Sequence, residues 1–200
     1  MARKDDRLDV TVTQLEITAR PTRPPMHAPM APHPLSLMRA HEPTVSFYRY
    51  LYDTVGEPWL WYERRKLDKD ALTTVICNEE VEIFVLSVGG VPAGFAEIDT
   101  RREMNHRSGD VLLAYFGLVP DYIGRGFGRY FLEAVIDIAW DRDSIERLVV
   151  RTCTLDHPAA LPLYQRCGFT ATGQQRTSIP DPRKNGLLPP DAGPDGIWRP

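Results

Sequence analysis

Three glycines at alternate positions constrain this chain more than any other feature. In Leu118-Val-Pro-Asp-Tyr-Ile-Gly-Arg-Gly-Phe-Gly-Arg-Tyr-Phe-Leu132, a run of apolar residues from Val111 stops at Pro120, and Gly124, Gly126 and Gly128 then open an amphipathic segment. Glycine alone lets the backbone come this close to a ligand, and successive N–H groups at the positive end of a helix form a concave site suited to a diphosphate. Arg125 and Arg129 add side-chain charge beside it. A dinucleotide fingerprint needs a further glycine where Arg129 stands, and a nucleotide P-loop needs a Gly-Lys-Ser/Thr that does not follow, so neither phosphate site is matched. The helix predicted over Gly126–Trp140 carries Phe127, Phe131, Ala134 and Ile138 on one buried stripe and Arg129, Glu133 and Asp137 as an exposed i,i+4 series.

The neighbouring segments follow from periodicity and turn chemistry. Phe47, Tyr48, Leu51, Tyr52 and Val55 recur at helical spacing over Thr44–Val55, and Asp68 caps a second short helix burying Leu72, Val75 and Ile76. Val81–Val88 and Val91–Asp99 flank Gly89-Gly90 as a hairpin, because adjacent glycines accept the positive φ of a tight turn. Val111–Leu118 and Leu148–Cys153 read as buried strands, Pro158–Arg166 as a short helix closed by Gly168, and Phe169–Ile179 as a last strand. Hairpin strands followed by strand-helix-strand-helix predict an α/β (α+β) fold, a mixed sheet with helices on its faces.

Prolines set the boundaries, six of the 18 lying in residues 21–34 and six in 180–200. Residues 1–35 therefore read as one additional strand, Leu8–Ile17, plus an extended linker; 36–179 as the domain proper; and 180–200 as a disordered tail or an arm wrapping a neighbour. A net charge of -3 gives no electrostatic reason to expect nucleic acid or an anionic membrane as partner. The charged start, MARKDDRLDV, argues against a secretory leader, and Val111–Val119 is half of what a bilayer requires. Cys77, Cys153 and Cys167 are too few and too scattered for a disulfide scaffold, which points to a reducing cytoplasm. Cys153 and His157 lie four apart without further ligands at fitting spacing, so no metal is expected.

The glycine turn, together with a second segment downstream, resembles the GNAT superfamily of acyl-CoA-dependent N-acyltransferases. Its first hallmark is Gln/Arg-x-x-Gly-x-Gly/Ala after a buried strand; Gly126 and Gly128 match the glycines, and Ile123 replaces the first residue. Its second is Asn-x-x-Ala-x-x-Leu-Tyr-x-x-x-Gly-Phe, read here from His157 through Ala160, Leu163, Tyr164 and Gly168 to Phe169, with His157 in the asparagine place. The likeness covers roughly residues 81–173. It implies a mostly antiparallel sheet with splayed strands and helices on both faces. It also implies acetyl-CoA as co-substrate, bound by Leu118, Val119, Ile123, Gly124, Arg125, Gly126, Phe127, Gly128, Arg129, His157, Ala160 and Tyr164, with main-chain N–H groups of Leu118 or Val119 orienting the thioester carbonyl.

Acetyl transfer to an amine needs a neutral nucleophile, support for the developing oxyanion and a proton for the leaving thiolate. An ammonium near pKa 10.4 is neutral in only about one part in two or three thousand at pH 7, a cost of roughly 4–5 kcal/mol that a base and a desolvated pocket must offset. Relatives place that base where Leu112 stands, and a leucine takes no proton. Glu97, one of two carboxylates with Asp99 on alternate positions of a strand, is the leading substitute, followed by His157. The resemblance assigns Tyr164 as general acid. The aromatics Phe47, Tyr48, Tyr50, Tyr52, Trp59, Trp61 and Tyr62 mark either core or a face for a cationic amine. The expected activity is direct transfer from acetyl-CoA to a primary amine of a small molecule or peptide, with a homodimer allowed. The alternatives are an acyl-CoA-binding sensor with weak catalysis and a generic nucleotide-binding domain.

Overall fold

A computed structural model describes residues 6–24, 27–102, 104 and 107–194. Seven strands form one sheet: β1 (Arg7–Ile17), β2 (Leu35–Ala40), β3 (Val81–Val88), β4 (Val91–Asp99), β5 (Asp110–Leu118), β6 (Arg147–Cys153) and β7 (Thr170–Pro180). Their order is β2-β3-β4-β5-β6-β1-β7, and every neighbouring pair is antiparallel except β5 with β6.

Four helices cover the two faces. On one face lie α1 (Val45–Gly56) and α2 (Lys69–Ile76), whose first-turn N–H groups donate to the side chains of Thr44 and Asp68. Tyr48, Leu51, Tyr52 and Val55 of α1 pack there on Ile83, Val85 and Phe95. On the other lie α3 (Phe127–Trp140) and α4 (Ala160–Arg166), where Phe131, Leu132 and Val135 meet Ala96, Ile98 and Leu113. Burying a side chain such as Leu132 fully contributes about 1.5–3 kcal/mol, so this stripe anchors α3 against the sheet. Gly89 and Gly90 turn the β3–β4 hairpin with φ of +59° and +86°. Gly56 belongs to α1 instead of following it, and its missing Cβ makes room for the Trp61 ring.

The chain departs from the sequence expectations at Leu35–Ala40, at Glu133 and after β7, and it places the expected Leu8–Ile17 strand inside the sheet. Leu35–Ala40, ahead of the first expected helix, forms the edge strand β2 on β3. The strand in Leu8–Ile17 is an interior strand, paired with β6 on one side and β7 on the other. Glu133 is buried instead of lying on an exposed series, because the proline-rich linker runs along α3. There Arg23 Nη2 donates to the Glu133 carbonyl at 2.7 Å and pairs with Asp137 at 2.8 Å, while Arg20 pairs with Asp141. The segment after β7 also folds as far as residue 194. Prolines end the strand without preventing packing, and Leu188 and Ala192 close over Leu60 and Tyr62.

Candidate active site

The site begins where two parallel strands part. β5 and β6 pair only from Asp110–Arg147 to Leu113–Val150. The next residue, Ala114, is extra in the β4–β5 register, which runs from Ile98–Leu113 directly to Glu97–Tyr115. Such a bulge bends its strand and redirects the groups that follow. Antiparallel pairing then fixes which way each peptide faces. Val119 N–H donates to the Ala93 carbonyl at 2.9 Å, so the alternate residue Leu118 turns its N–H and carbonyl away from β4, toward the gap beside β6. Leu118 is therefore free to orient a thioester carbonyl. Val119 is corrected as a donor, since its N–H is already committed to the sheet.

That gap opens into a cavity of about 610 Å³. Its donor side is the glycine turn, where Gly124 and Gly126 adopt φ of +78° and +84°, conformations that disfavour side chains. Gly126 precedes the first residue of α3 without any side-chain cap, and no acidic residue stands in that helix's first turn. The first N–H groups of a helix have no intrahelical partner, so the turn offers a row of donors at a positive helix end. A Cβ on Gly124 would meet nothing within 4 Å, and one on Gly128 would meet Leu163 and Leu118 at 3.6 and 3.7 Å. The residues thus fit a diphosphate.

Of the residues expected to bind the donor, Leu118, Ile123, Gly124, Gly128, Arg129, His157, Ala160 and Tyr164 line this one cavity. Arg125, Gly126 and Phe127 do not line it: Arg125 lies over the Tyr122 ring, and the Phe127 side chain is in the core. Arg129 is held by Glu133 at 2.8 Å. Tyr164 is buried between Phe116 and Phe169, and burial pushes its hydroxyl well above the ordinary phenol range, so it stays protonated.

The opposite wall carries Trp59, Trp61, Glu63, Arg64 and Tyr115. Gly117 contributes here by being small, since a Cβ on it would collide with Val55 at 2.4 Å. Glu97 and Asp99, read from the sequence as neighbours on one strand face, are both fully buried. The Tyr48 hydroxyl donates to Glu97 Oε2 at 2.5 Å, and Arg64 Nη2 donates to Oε1. Glu97 thus holds Arg64, whose Nε also donates to Tyr48 and whose guanidinium lies 5.2 Å from the Tyr115 ring centre. Glu97 is not among the cavity-lining residues, and Asp99 is bound by Arg101. Sequence reasoning did not single out Glu63, Arg64 or Asp156; no spacing linked them to the glycine turn.

His157 accepts the Ala159 N–H on Nδ1 at 2.9 Å, the contact an asparagine carbonyl makes at such a position, and burial lowers its proton affinity. Asp156 accepts from Thr152 at 2.7 Å, from the Cys153 N–H at 2.8 Å and from Trp61 Nε1 at 3.4 Å. Of the seven aromatics noted above, Tyr48 and Tyr52 are core, Tyr62 is buried with Leu60 and Leu188, Trp59 and Trp61 border the cavity, and Phe47 and Tyr50 are exposed. Among the described residues no cluster of His, Cys, Asp and Glu is placed to hold a metal, and no helix is long and apolar enough to cross a membrane.

Known proteins resemble this chain in sequence and fold. Residues 43–169 match the acetyltransferase (GNAT) family. The N-alpha-acetyltransferase RimI of Mycobacterium tuberculosis is 33% identical over 123 residues, covering 50% of this chain and 74% of that protein. An aminoglycoside N-acetyltransferase, AAC(6')-Iy, solved in complex with CoA, superposes with a TM-score of 0.52 at 18% identity, covering 72% of this chain and 94% of its own. A functionally unknown protein from Staphylococcus epidermidis gives 0.60 at 13% identity over 89% of this chain, which spans 64% of that one. Likeness at these structural identities establishes the fold. The family match over most of the core adds the chemistry, and the chain belongs to the acetyltransferase (GNAT) family of N-acetyl-transferring enzymes.

Proposed function

We propose that the chain transfers an acetyl group from acetyl-CoA directly to a primary amine of a small molecule or a peptide N-terminus. The observation that carries this reading is convergence: the splayed end of β5 and the uncapped glycine turn open onto the same cavity as an aromatic wall. Bound there, acetyl-CoA supplies an activated thioester carbon. The glycine turn, which reaches the cavity at Gly124 and Gly128, holds its diphosphate through main-chain N–H groups, and Leu118 N–H steadies the carbonyl oxygen as charge develops on it. Tyr164, kept protonated by burial, offers its hydroxyl as a hydrogen-bond donor to the departing sulfur and as a relay for the proton that sulfur takes up. Trp59 and Trp61 offer ring faces to a cationic or apolar acceptor. The named activity of RimI favours a peptide α-amine among the candidates. Three free cysteines, one of them exposed, suit a reducing cytoplasm.

Isothermal titration of acetyl-CoA, paired with thiol release across a panel of amines, tests the reading. Gly126→Val forces a β-branched residue to φ of +84° and displaces the turn. Two lost hydrogen bonds to a charged group, at about 1.5–3 kcal/mol each, weaken binding by about 100-fold or more. Unchanged affinity in a folded variant removes the turn as the donor site. Tight binding without turnover on any amine replaces the enzyme with an acyl-CoA sensor.

A further inference from the structure

We infer that Glu63 is the general base, taking the proton of the acceptor amine on Oε1 directly or through one water. This rests on the acetyl-transfer reading above and on a census of lone pairs. Among the described residues lining the cavity, only Glu63, Asp156 and His157 carry a carboxylate or imidazole. Asp156 already accepts two short hydrogen bonds on Oδ2 and the Trp61 N–H on Oδ1. His157 spends its Nδ1 lone pair on the Ala159 N–H, so the neutral ring carries its proton on Nε2 and offers the cavity a donor. Leu112 lines the cavity with no proton-accepting group, and Glu97 lies behind Arg64 with both oxygens engaged.

Glu63 is arranged differently. Its side chain reaches the cavity from an exposed position just ahead of the 3₁₀ turn at Arg64–Lys66. Oε2 accepts the Tyr62 N–H at 3.3 Å with the Tyr52 hydroxyl at 3.5 Å, which orients the carboxylate, while Oε1 has no partner among the described residues. The groups facing it are Tyr52, Tyr62, Tyr115 and Cys153, all kept uncharged by burial. The adjacent cation, Arg64, is neutralised by Glu97. An open carboxylate beside a closed ion pair can therefore accept a proton without disturbing the wall that holds it.

In the step, an N–H bond of the ammonium breaks toward Oε1 and the freed nitrogen lone pair forms the bond to the thioester carbon. The C–S bond then breaks with its electron pair on sulfur, which takes a proton from Tyr164 or water, and the second proton lost by the nitrogen restores that donor. Glu63 afterwards returns its proton to solvent, so one ammonium and one thioester give one amide, one thiol and one proton.

Glu63→Gln is the test, read by thiol release with an amine that the wild type acetylates and by titration of acetyl-CoA. kcat/KM for the amine is expected to fall about 10²–10⁴-fold with donor affinity unchanged. The residual rate should climb about tenfold per pH unit as solution hydroxide replaces the lost base, and Glu63→Asp should recover part of the activity. Glu63→Gln within about threefold of wild type with the same pH profile overturns the assignment, as does transfer of the loss to Asp156→Asn or His157→Asn. A wild type that releases no thiol with any amine overturns the acetyl-transfer reading itself, and the assignment with it.

Discussion

Glu97→Gln separates a carboxylate that builds the wall from one that moves a proton. The Glu97 side chain is fully buried and holds an Arg64 side chain that is 10% exposed. Removing one member of a buried ion pair costs about 3–5 kcal/mol, because the remaining charge stays in a poorly solvating place. Glutamine keeps the volume and one acceptor for the Tyr48 hydroxyl, so the lower end applies, about 3 kcal/mol. For a domain of 200 residues each kcal/mol moves the melting temperature by about 2–4 °C, giving a fall of about 6–12 °C. Urea denaturation should show a lower midpoint at constant slope. The double variant Glu97→Leu with Arg64→Met removes both charges and should regain part of the loss in stability, though it also removes a side chain that lines the cavity. Kinetics supply the refutation. A variant melting within about 2 °C of wild type, yet lacking the acid limb of kcat/KM, makes Glu97 the base and Arg64 its accessory.

His157→Asn tests a pH switch in the second motif. Burial lowers the His157 pKa below its ordinary 6.5, so its contribution is complete above that pH and is lost as acid drives the proton on and frees the Ala159 N–H. Asparagine can keep the hydrogen bond without titrating, so denaturation midpoints of the variant should fall less than wild type between about pH 6.5 and 5; parallel curves refute this. At Gly56 an alanine Cβ would stand 2.4 Å from Trp61 Cε3, so the indole must move. Gly56→Ala should cost about 1–3 kcal/mol in urea and raise the amine KM while leaving acetyl-CoA affinity intact.

Elements that depend on neighbours a few residues apart were legible in the chain. The Tyr48–Val55 stripe, the Asp68 cap, the Gly89-Gly90 turn and the helix after Gly126 all follow from local spacing and glycine's access to positive φ. The glycine turn and the His157–Phe169 motif likewise supply residues that line one cavity. Pairings across long separations were not legible, because many partners satisfy the same residue types and packing selects one. Nothing in Leu8–Ile17 says that it lies between β6 and β7, and nothing in Glu133 announces Arg23, 110 positions earlier. Glu97 looked like a strand-face carboxylate available for chemistry; Arg64, 33 residues away, closes it. The exposed glutamate next to that arginine faces the cavity only because the chain from Trp59 to Lys66 folds over the parted strands, a tertiary event with no local signature.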